Sequence, residues 1–400
     1  MTTCAILTHT WPPLAPLAQP EVTVAVQTVP FLDLANTVAE LRPELDVAYQ
    51  RVMASGWFID GAEVQAFESE FATYCHAKHC AGVANGLDAL HLILRAYGIG
   101  SDDEVIVPSH TFIATWLAVS SAGATPVPVE VDPRTFCLGQ PTMRESGLQA
   151  AVSPRTKALI AVDLYGRKAP IRQLTAFCKE NSIKLIVDSA QAHGARAVDG
   201  TDQGLFGDAA AYSFYPGKNL GCYGDGGAVV SDDKHLIQRV KQLRNYGAVE
   251  KYHHEVQGVN SRLDELQAAF LRVRLRHLDA WNRRRQALAS QYLAALQGQS
   301  EIMSPPGDSA SCDVWHLFVV RSKKRAKLQQ YLTDAGIATQ IHYPVPCHKS
   351  GAYADQFAGV RLPAAEMLAD EVLSLPMSPH HSADQIAYVA KALCTFAQQA

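Results

Sequence analysis

The first half of the chain alternates between apolar runs of strand length and segments in which apolar positions have helical spacing. The apolar runs predict β-strands at 104–109, 125–131, 157–166 and 184–191. Between them, the three- and four-residue spacing of apolar side chains predicts helices at 111–123 and 171–182. Strand and helix that alternate at about 30 residues per unit form βαβ crossovers, which build a mostly parallel sheet covered by helices on both faces.

This alternation changes near Lys218. Two short apolar runs, 209–214 and 227–233, predict strands on either side of a loop rich in Gly, Pro and Asn. A long helix is predicted to start at Arg262, because one face carries a stripe of large side chains: Leu263, Leu266, Phe270, Val273, His277 and Trp281. The remainder predicts a strand at 315–321, a helix at 323–336, a loop and two final helices.

The chain of 400 residues is too long for a single core, so the pattern divides into two domains. A large α/β domain with a mostly parallel sheet is predicted over 30–280, and a smaller α+β domain over 281–400. The long helix bridges the two. Residues 1–29 are predicted to form a mobile N-terminal extension.

Composition and charge remove several classes of function. The chain is 48% hydrophobic and 18% charged, which is typical of a soluble globular protein. Its net charge of −4 gives no positive field for nucleic acid or an anionic membrane, and the basic clusters "NRRRQ" and "RSKKRAK" are interpreted as solvated helix faces. No apolar run is long enough to span a bilayer, and the first residues lack the basic start of a secretory signal. A cytoplasmic protein is expected.

Cysteine usage agrees with a reducing compartment, because the nine cysteines are odd in number and scattered singly. The segment "CHAKHC", from Cys75 to Cys80, places two Cys and two His close together. A zinc site needs wider spacing between its ligand pairs so that four groups can converge. The segment is therefore interpreted as a helix end, and no metal site is predicted.

Lys218, in the loop "SFYPGKNLG", is the candidate for chemistry. A phosphate-binding Walker loop needs a Gly five residues before its Gly-Lys pair and a Ser or Thr after it, but these positions hold Tyr212 and Asn219. The nearby "GCYGDGG" does not match the GxGxxG dinucleotide pattern, because its third glycine would fall on Val229. Both nucleotide-fold interpretations fail.

Carbonyl chemistry fits the loop better. A lysine that bonds pyridoxal phosphate needs an acid at the pyridine nitrogen, a phosphate cup, a stacking wall and a group near the phenolic oxygen. Asp188 ends the apolar run "KLIVD" at the edge of the sheet where α/β proteins bind ligands, and Gln191 follows it closely. Asp188 as a simple helix cap remains the alternative.

The phosphate cup has its candidate in "GVANGLDALHLIL". Asn85-Gly86 precedes a helix from Leu87, so free backbone amides and the helix dipole would face an anion. Ser213 adds a hydroxyl just before Lys218. An ordinary Asn-Gly turn and a surface serine are the alternatives.

With these residues, the chain resembles the DegT/DnrJ/EryC1/StrS sugar aminotransferases, which are fold-type I pyridoxal-phosphate enzymes. The resemblance covers about 30–398. It rests on "GVANGLDALHLILRAYGIG", "DEVIVPSHTFIATWLAVSSAGATPVPVEVD", "DSAQAHGA", "GDAAAYSFYPGKNLG", "GVNSRLDELQAAFLRVRL" and "WHLFVVR".

The resemblance implies a role for each of these positions. It implies pyridoxal 5'-phosphate bonded to Lys218, with Asp188 at the pyridine nitrogen and Gln191 by the phenolic oxygen. It further implies a phosphate held by Ser213 and the Gly86 and Leu87 amides, a stacking wall at Phe112, and Asn260 on the phosphate of the neighbouring subunit of a homodimer. Helix capping by Asn260 is the alternative to this last role.

Three positions depart from the family pattern. Leu87 stands where relatives usually carry Thr or Ser, so it offers only its amide. Asp163 replaces a frequent His in "VDLYG", which leaves its role open, and "FIDG" at 58–61 replaces the commoner "ILG".

The implied reaction is transfer of an amino group from L-glutamate to a nucleotide-linked keto-sugar. "SFYPGKNLG" resembles the enzymes for dTDP-linked 3-oxo-6-deoxy sugars, whereas "SFHP" is frequent among enzymes that aminate C4, which is the alternative. Candidate substrate contacts are Tyr215, His342, Tyr343 and His348, although loop packing explains the histidines equally well. Lys218 argues against the dehydratase branch, which has His there, and a non-catalytic regulatory protein is the rival from another class.

Overall fold

The computed structural model describes residues 28–139, 147–196, 206–307 and 312–399. The helices are α1 (Leu34–Ser55), α2 (Ala62–Tyr74), α3 (Gly86–Ala96), α4 (Ala114–Ser121), α5 (Ile171–Glu180), α6 (Lys234–Arg244), α7 (Glu265–Ala295), α8 (Arg325–Asp334), α9 (Pro363–Glu371) and α10 (Ala383–Gln399). The strands are β1 (His79–Val83), β2 (Glu104–Pro108), β3 (Thr125–Val129), β4 (Thr156–Val162), β5 (Lys184–Asp188), β6 (Ala209–Ser213), β7 (Gly227–Ser231), β8 (Ala248–Glu250), β9 (His253–His254), β10 (Phe318–Arg321) and β11 (Val372–Leu375).

The centre of the fold is a seven-stranded sheet in the order β1-β7-β6-β5-β4-β2-β3. β7 pairs antiparallel with both of its neighbours, and all other pairs in this sheet are parallel. The mostly parallel α/β sheet predicted from the sequence is therefore confirmed. Six strands run in one direction, so their carboxyl ends meet at one edge.

The predicted strands exist, but several end earlier than predicted. The run 157–166 ends as a strand at Val162, and 184–191 ends at Asp188. Beyond these points the chain leaves the sheet and turns across its carboxyl edge. Because these turns are still buried, a prediction from the hydrophobic pattern alone makes the strands too long.

The long helix begins at Glu265 rather than at Arg262. The preceding residues are extended, because Asn260 and Asp264 pair with Asn245 and Ile59 in isolated β-bridges. The Glu265 carboxylate accepts hydrogen bonds from the Gly61, Glu63 and Val64 amides at 2.6, 2.9 and 3.1 Å. It thereby caps the amino end of α2, which explains how the altered "FIDG" turn is held.

The predicted stripe on α7 packs mainly against α1. Ala269, Val273 and Trp281 of α7 form one buried cluster with Leu41, Leu45, Ala48 and Val52 of α1, and Leu266 and Phe270 pack at its margin. The helix has 31 residues, a length of about 46 Å, and its second half carries Tyr292 into a separate core with β10, β11, α8 and α10. We propose that the boundary between the two domains falls within α7.

The amino end of the described chain belongs to this second core. Val29 is buried, its amide donates to the Gly336 carbonyl and its carbonyl accepts from the Ala338 amide, both at 3.0 Å. The folded chain therefore includes residue 29 of the predicted extension, and residues 1–27 lie outside the described residues. Strand β11 is a further correction, because the sequence predicts only helices after residue 350. It follows α9 directly and pairs with β10.

Two structural findings concern membrane-spanning helices and metal sites. Among the described helices, none is long and apolar enough to cross a membrane. Within the described ranges, no group of three or more His, Cys, Asp or Glu side chains is arranged to hold a metal ion. In "CHAKHC", Cys75 follows the end of α2 and Cys80 lies in β1, and burial raises the pKa of both thiols.

Candidate active site

A cavity of about 460 Å³ lies over the carboxyl edge of the sheet. Its wall combines the ends of the parallel strands with Phe31, Leu32 and residues of the segments 316–317 and 340–343. Most of the predicted site residues line it: Gly86, Leu87, Phe112, Asp188, Gln191, Ser213, Tyr215, Lys218, His342 and Tyr343.

The sheet topology explains this convergence. Gly86 follows β1, Phe112 follows β2, Asp188 ends β5 and Ser213 ends β6. Because these four strands are mutually parallel, their carboxyl ends share one edge. Residues far apart in sequence are thus brought to one cavity.

The Lys218 loop is held by a backbone hydrogen bond, by the packing of Gly221 and by the side chain of Asn219. The Lys218 amide donates to the Tyr215 carbonyl at 2.8 Å, which closes a tight turn. Gly221 packs against the turn, where an added Cβ would lie 2.6 Å from the Pro216 carbonyl oxygen. Asn219 is buried and directs its side chain away from the cavity, toward Asn282 of α7. The lysine therefore projects from a firmly held loop.

The amine of Lys218 lies in a desolvated environment. Burial lowers its pKa to about 8, against the opposing influence of the Asp188 carboxylate. A substantial fraction of this amine is therefore neutral near physiological pH, which a nucleophile or general base requires.

Asp188 is a buried carboxylate with two hydrogen-bond donors. Thr115 Oγ1 donates to Oδ2 at 2.9 Å and the Ala190 amide donates to Oδ1 at 3.2 Å. Burial nevertheless raises the pKa of Asp188 above its usual value, and the two hydrogen bonds and Lys218 only partly oppose this. A buried carboxylate of this kind is stabilised by a cationic partner placed in the cavity.

Gln191 is fixed at both ends of its side-chain amide. Its Oε1 accepts from the Tyr165 amide at 2.7 Å, and its Nε2 donates to the Tyr343 hydroxyl at 3.0 Å. The Phe112 ring lies 5.3 Å from the Tyr343 ring and is half exposed. A flat aromatic ligand in the cavity would find a ready stacking surface there.

The amino end of α3 and Ser213 form a cradle. Asn85 caps this helix, because its Oδ1 accepts from the Asp88 amide at 2.8 Å. A Cβ added to Gly86 would lie only 2.7 Å from Ser213 Cβ, so glycine alone permits this close approach. The free amides of Gly86 and Leu87 therefore lie beside a hydroxyl at a helix amino end, which is a common arrangement for binding phosphate.

Two predicted residues do not line the cavity. His348 is buried in the 347–349 turn, where its Nε2 lies 3.4 Å from the Glu366 carboxylate of α9. The ring faces the protein interior, so the contact of His348 with substrate stays a prediction that the cavity lining does not support. Asn260 is exposed and lies five residues before Glu265, the first residue of α7, and Asp264 occupies the capping position. The alternative that Asn260 caps this helix is wrong.

Asp163, whose role the sequence left open, is a buried structural anion. Its Oδ2 accepts from Lys168 Nζ and Ser189 Oγ at 2.7 Å each, and its Oδ1 accepts from the Ala169 amide at 2.9 Å. Asp163, which follows β4, thus forms a hydrogen bond with Ser189, the residue after Asp188. It does not belong to the cavity wall.

Sequence reasoning missed Thr115 and His316. Thr115 is a polar position on the buried side of α4, and its partner Asp188 lies on another strand unit. His316 lines the cavity from the segment before β10, where it is a polar residue inside an otherwise apolar run. A polar residue inside an apolar pattern was the available signal in both cases.

Comparison with known proteins identifies the group to which this architecture belongs. Residues 40–394 match the DegT/DnrJ/EryC1/StrS aminotransferase family. The erythromycin biosynthesis sensory transduction protein EryC1 of Saccharopolyspora erythraea is 52% identical, with 91% of this chain and 98% of that protein covered. The dTDP-3-amino-3,4,6-trideoxy-alpha-D-glucose transaminase of Streptomyces venezuelae is 50% identical, with 93% and 97% covered.

A solved structure supports the same assignment. The crystal structure of S. venezuelae DesV in complex with a ketimine intermediate has a TM-score of 0.88 and 50% identity, covering 93% of this chain and 99% of that one. The fold is that of the fold-type I aminotransferases, as the sequence resemblance implied. The chain belongs to the DegT/DnrJ/EryC1/StrS family of sugar aminotransferases.

Proposed function

We propose that this protein is a pyridoxal-phosphate-dependent aminotransferase that moves an amino group from L-glutamate to C3 of a dTDP-linked 3-oxo-6-deoxyhexose. The observation that carries the chemistry is the convergence of Lys218 and Asp188 on one cavity beside the cradle of Gly86 and Ser213. The C3 position is supported by the likeness to the Streptomyces venezuelae transaminase, whose name specifies a 3-amino sugar.

The cavity residues fit the cofactor. Pyridoxal phosphate supplies an aldehyde that bonds amino groups and a protonated ring that draws electrons from the carbon losing its proton. Lys218 would bond the aldehyde, Asp188 would hold the ring nitrogen protonated, and Gln191 would approach the phenolic oxygen. Phe112 would cover the ring, and Ser213 with the Gly86 and Leu87 amides would bind the phosphate.

Lys218 has a second task in this proposal. When it is not bonded to the cofactor, its free amine would act as the general base and acid that holds and moves the proton of the donor's α-carbon. Its pKa of about 8 suits both directions, because the amine holds or releases a proton at little cost near neutral pH. Tyr215, His342 and Tyr343 also line the cavity and would contact the sugar nucleotide.

We further propose a homodimer in which Asn260 of one subunit reaches the phosphate bound in the other. Of the described residues that line the cavity, Lys218 is the only lysine and none is an arginine. Apart from Ser213 and the Gly86 and Leu87 amides, a dianionic phosphate would therefore find few donors and no arginine among these residues. Asn260 is exposed, as an interface residue must be in one isolated chain, and Arg262 is held nearby by Asn245.

An apolar surface beside Asn260 supports the same proposal. Trp57, Phe58 and Ile59 are 63%, 49% and 41% exposed, and Tyr246 is 47% exposed. Ile59 pairs with Asp264, and Asn245 pairs with Asn260, in isolated β-bridges, so both segments adjoin the stretch that carries Asn260. Large exposed apolar side chains are typical of a protein interface. We propose a cytoplasmic location for this dimer.

Mixing two inactive variants tests the shared site. Lys218→Ala and Asn260→Ala homodimers should each be impaired, and subunit exchange should create heterodimers in which one site keeps both native groups. Activity on mixing should rise toward one working site per dimer. The measurement is amino transfer before and after exchange, with exchange itself followed by native mass spectrometry of the two variants.

Two controls make the mixing result decisive. A Lys218→Ala dimer mixed with a Lys218→Arg dimer should stay inactive, because no pairing restores the lysine. Absence of recovery in the Lys218→Ala and Asn260→Ala mixture, despite proven exchange, would mean that Asn260 acts within its own chain.

The position of amination is tested with two substrates. The protein should convert the dTDP-linked 3-oxo-6-deoxyhexose in the presence of L-glutamate, and NMR should locate the new amino group at C3. The 4-oxo isomer should react much more slowly. Efficient amination at C4 would replace the C3 assignment with the alternative while leaving the aminotransferase proposal intact.

A further inference from the structure

The imidazole of His316 contacts Asn219 through one ring nitrogen, which leaves the other nitrogen available to a second partner. It is only 7% exposed and lines the cavity together with Lys218. Its Nδ1 lies 3.3 Å from Oδ1 of Asn219, the residue that follows the lysine. The role of the ring depends on which nitrogen carries the proton, because a neutral imidazole donates from one nitrogen and accepts at the other.

A chain of buried side-chain amides determines that proton's place. The chain starts at the carbonyl of His193, which only accepts, so Asn282 must direct its Nδ2 there, at 2.9 Å. Asn282 Oδ1 then accepts from Asn219 Nδ2 at 3.0 Å. The same Nδ2 donates to the Val314 carbonyl at 2.8 Å, which fixes Asn219 independently. Asn219 Oδ1 is therefore the atom that faces His316.

It follows that His316 must donate from Nδ1. Because burial and the charge of Lys218 hold the pKa of this imidazole well below its usual value, the ring is neutral at physiological pH. A neutral ring that carries its proton on Nδ1 has an unshared electron pair on Nε2. The cavity thus meets a hydrogen-bond acceptor at this position, not a donor.

Among the described residues of the cavity wall, Lys218 is the cationic side chain that can donate a hydrogen bond to such an acceptor. The ionisable groups that act on the lysine or respond to its charge are Asp188, His193, His316 and His342. Burial and Lys218 lower the pKa of His193 to about 3 and of His342 to about 4, so both are neutral as well. His342 directs its Nδ1 to Ser374 Oγ at 2.8 Å. Asp188 accepts from Thr115 and the Ala190 amide, and in the proposed function it would also hold the cofactor nitrogen.

We propose that His316 is a positioning residue that accepts a hydrogen bond at Nε2 from the side-chain amine of Lys218, and that Asn219 and Asn282 hold it in the tautomer required. The proposal rests on the proposed function, since the amine is free only while the amino donor has displaced it. In that interval the lysine must stay oriented toward the carbon whose proton it moves. α7, which carries Asn282, would thereby connect the domain interface to the orientation of the lysine.

Two substitutions separate the two ring nitrogens. In His316→Gln the longer side chain can place its amide oxygen near the position of Nε2, so the acceptor for Lys218 is retained. In His316→Asn the shorter amide can donate to Asn219 but cannot reach the lysine. We expect His316→Asn to lower the apparent pKa of Lys218 by about one pH unit, because the ammonium loses an acceptor. His316→Gln should stay within a few tenths of a unit of the wild type.

The pKa is read from single-turnover rates of the L-glutamate half-reaction as a function of pH, so that no sugar is needed. His381→Asn, which replaces a buried histidine in the second core, should leave the pH profile unchanged. Equal pH profiles for His316→Gln and His316→Asn would overturn the proposal. A change confined to the KM for the sugar would overturn it too, because the acceptor would then serve the substrate.

The tautomer is measured without turnover. In the complete protein carrying ¹⁵N-labelled histidine rings, the signal missing from His316→Gln should have the pattern of an Nδ1–H imidazole, and Asn282→Leu should weaken that pattern. An Nε2–H pattern for His316 would overturn the proposal. Failure of amino transfer with every sugar would refute the proposed function and leave this tautomer result standing.

Discussion

Replacement of Lys218 by alanine is expected to abolish amino transfer, with a loss of at least about 10⁴-fold in single-turnover rate. The substitution removes both the amine that bonds the cofactor and the base that moves the proton. The fold should persist, because the turn is held by the Lys218 backbone amide and by the Asn219 side chain, which the substitution leaves in place.

The measurement for Lys218→Ala has two parts. Absorbance should show loss of the band of the lysine-bound cofactor, and rapid mixing with L-glutamate should show no formation of 2-oxoglutarate. Lys218→Arg is the matched control, since it keeps the positive charge but cannot bond an aldehyde, and it should be equally inactive. A Lys218→Ala protein that completes both half-reactions would refute the assignment.

Asp188→Asn is the substitution with the next largest expected effect. It keeps the size of the side chain and removes the charge that would hold the ring nitrogen protonated. One pH unit in a pKa corresponds to about 1.4 kcal/mol, so a shift of several units would leave the ring neutral at pH 7. Proton removal from the donor should slow by about 10²- to 10⁴-fold, measured as the single-turnover rate with L-glutamate.

Thr115→Val provides the graded control for this prediction. It leaves the Asp188 charge in place and removes one of its two hydrogen-bond donors, which is worth about 1.5 kcal/mol for a charged acceptor. A slowing of about tenfold is expected. Near-normal turnover in Asp188→Asn would show that the carboxylate does not set the protonation of the ring.

The sequence was sufficient to predict the residues that lie where parallel strands end. Recognition of a parallel sheet already placed Asp188 at its carboxyl edge, whereas the role of Phe112 was implied by the family resemblance. In the structure Ser213 also ends a strand, and Gly86 and Phe112 follow strands. Lys218 follows the same logic, because its loop begins directly after β6. Predicting these positions requires little knowledge of the contacts between distant parts of the fold.

The sequence was insufficient wherever a residue's partner comes from another unit of the fold. His348 lies in a promising loop, but its ring packs against Glu366 of α9, a contact that no local pattern reveals. Asn282 lies on a long amphipathic helix, yet it reaches the residue next to Lys218. The start of α7 was placed too early because the β-bridge of Asp264 to Ile59 keeps the preceding chain extended.

The name of one relative suggests a non-catalytic alternative. EryC1 of Saccharopolyspora erythraea is named as a sensory transduction protein, and a regulatory protein could hold the cofactor without turning it over. The two possibilities differ in what L-glutamate does when it is supplied alone. A protein that only holds the cofactor leaves the amino acid unchanged.

A single addition of L-glutamate to the cofactor-loaded protein, with no sugar present, therefore separates these possibilities. One 2-oxoglutarate per Lys218 site is expected, together with loss of the absorbance band of the lysine-bound cofactor. If protein that shows this band at full occupancy forms no 2-oxoglutarate, Lys218 and Asp188 do not form a working aminotransferase site.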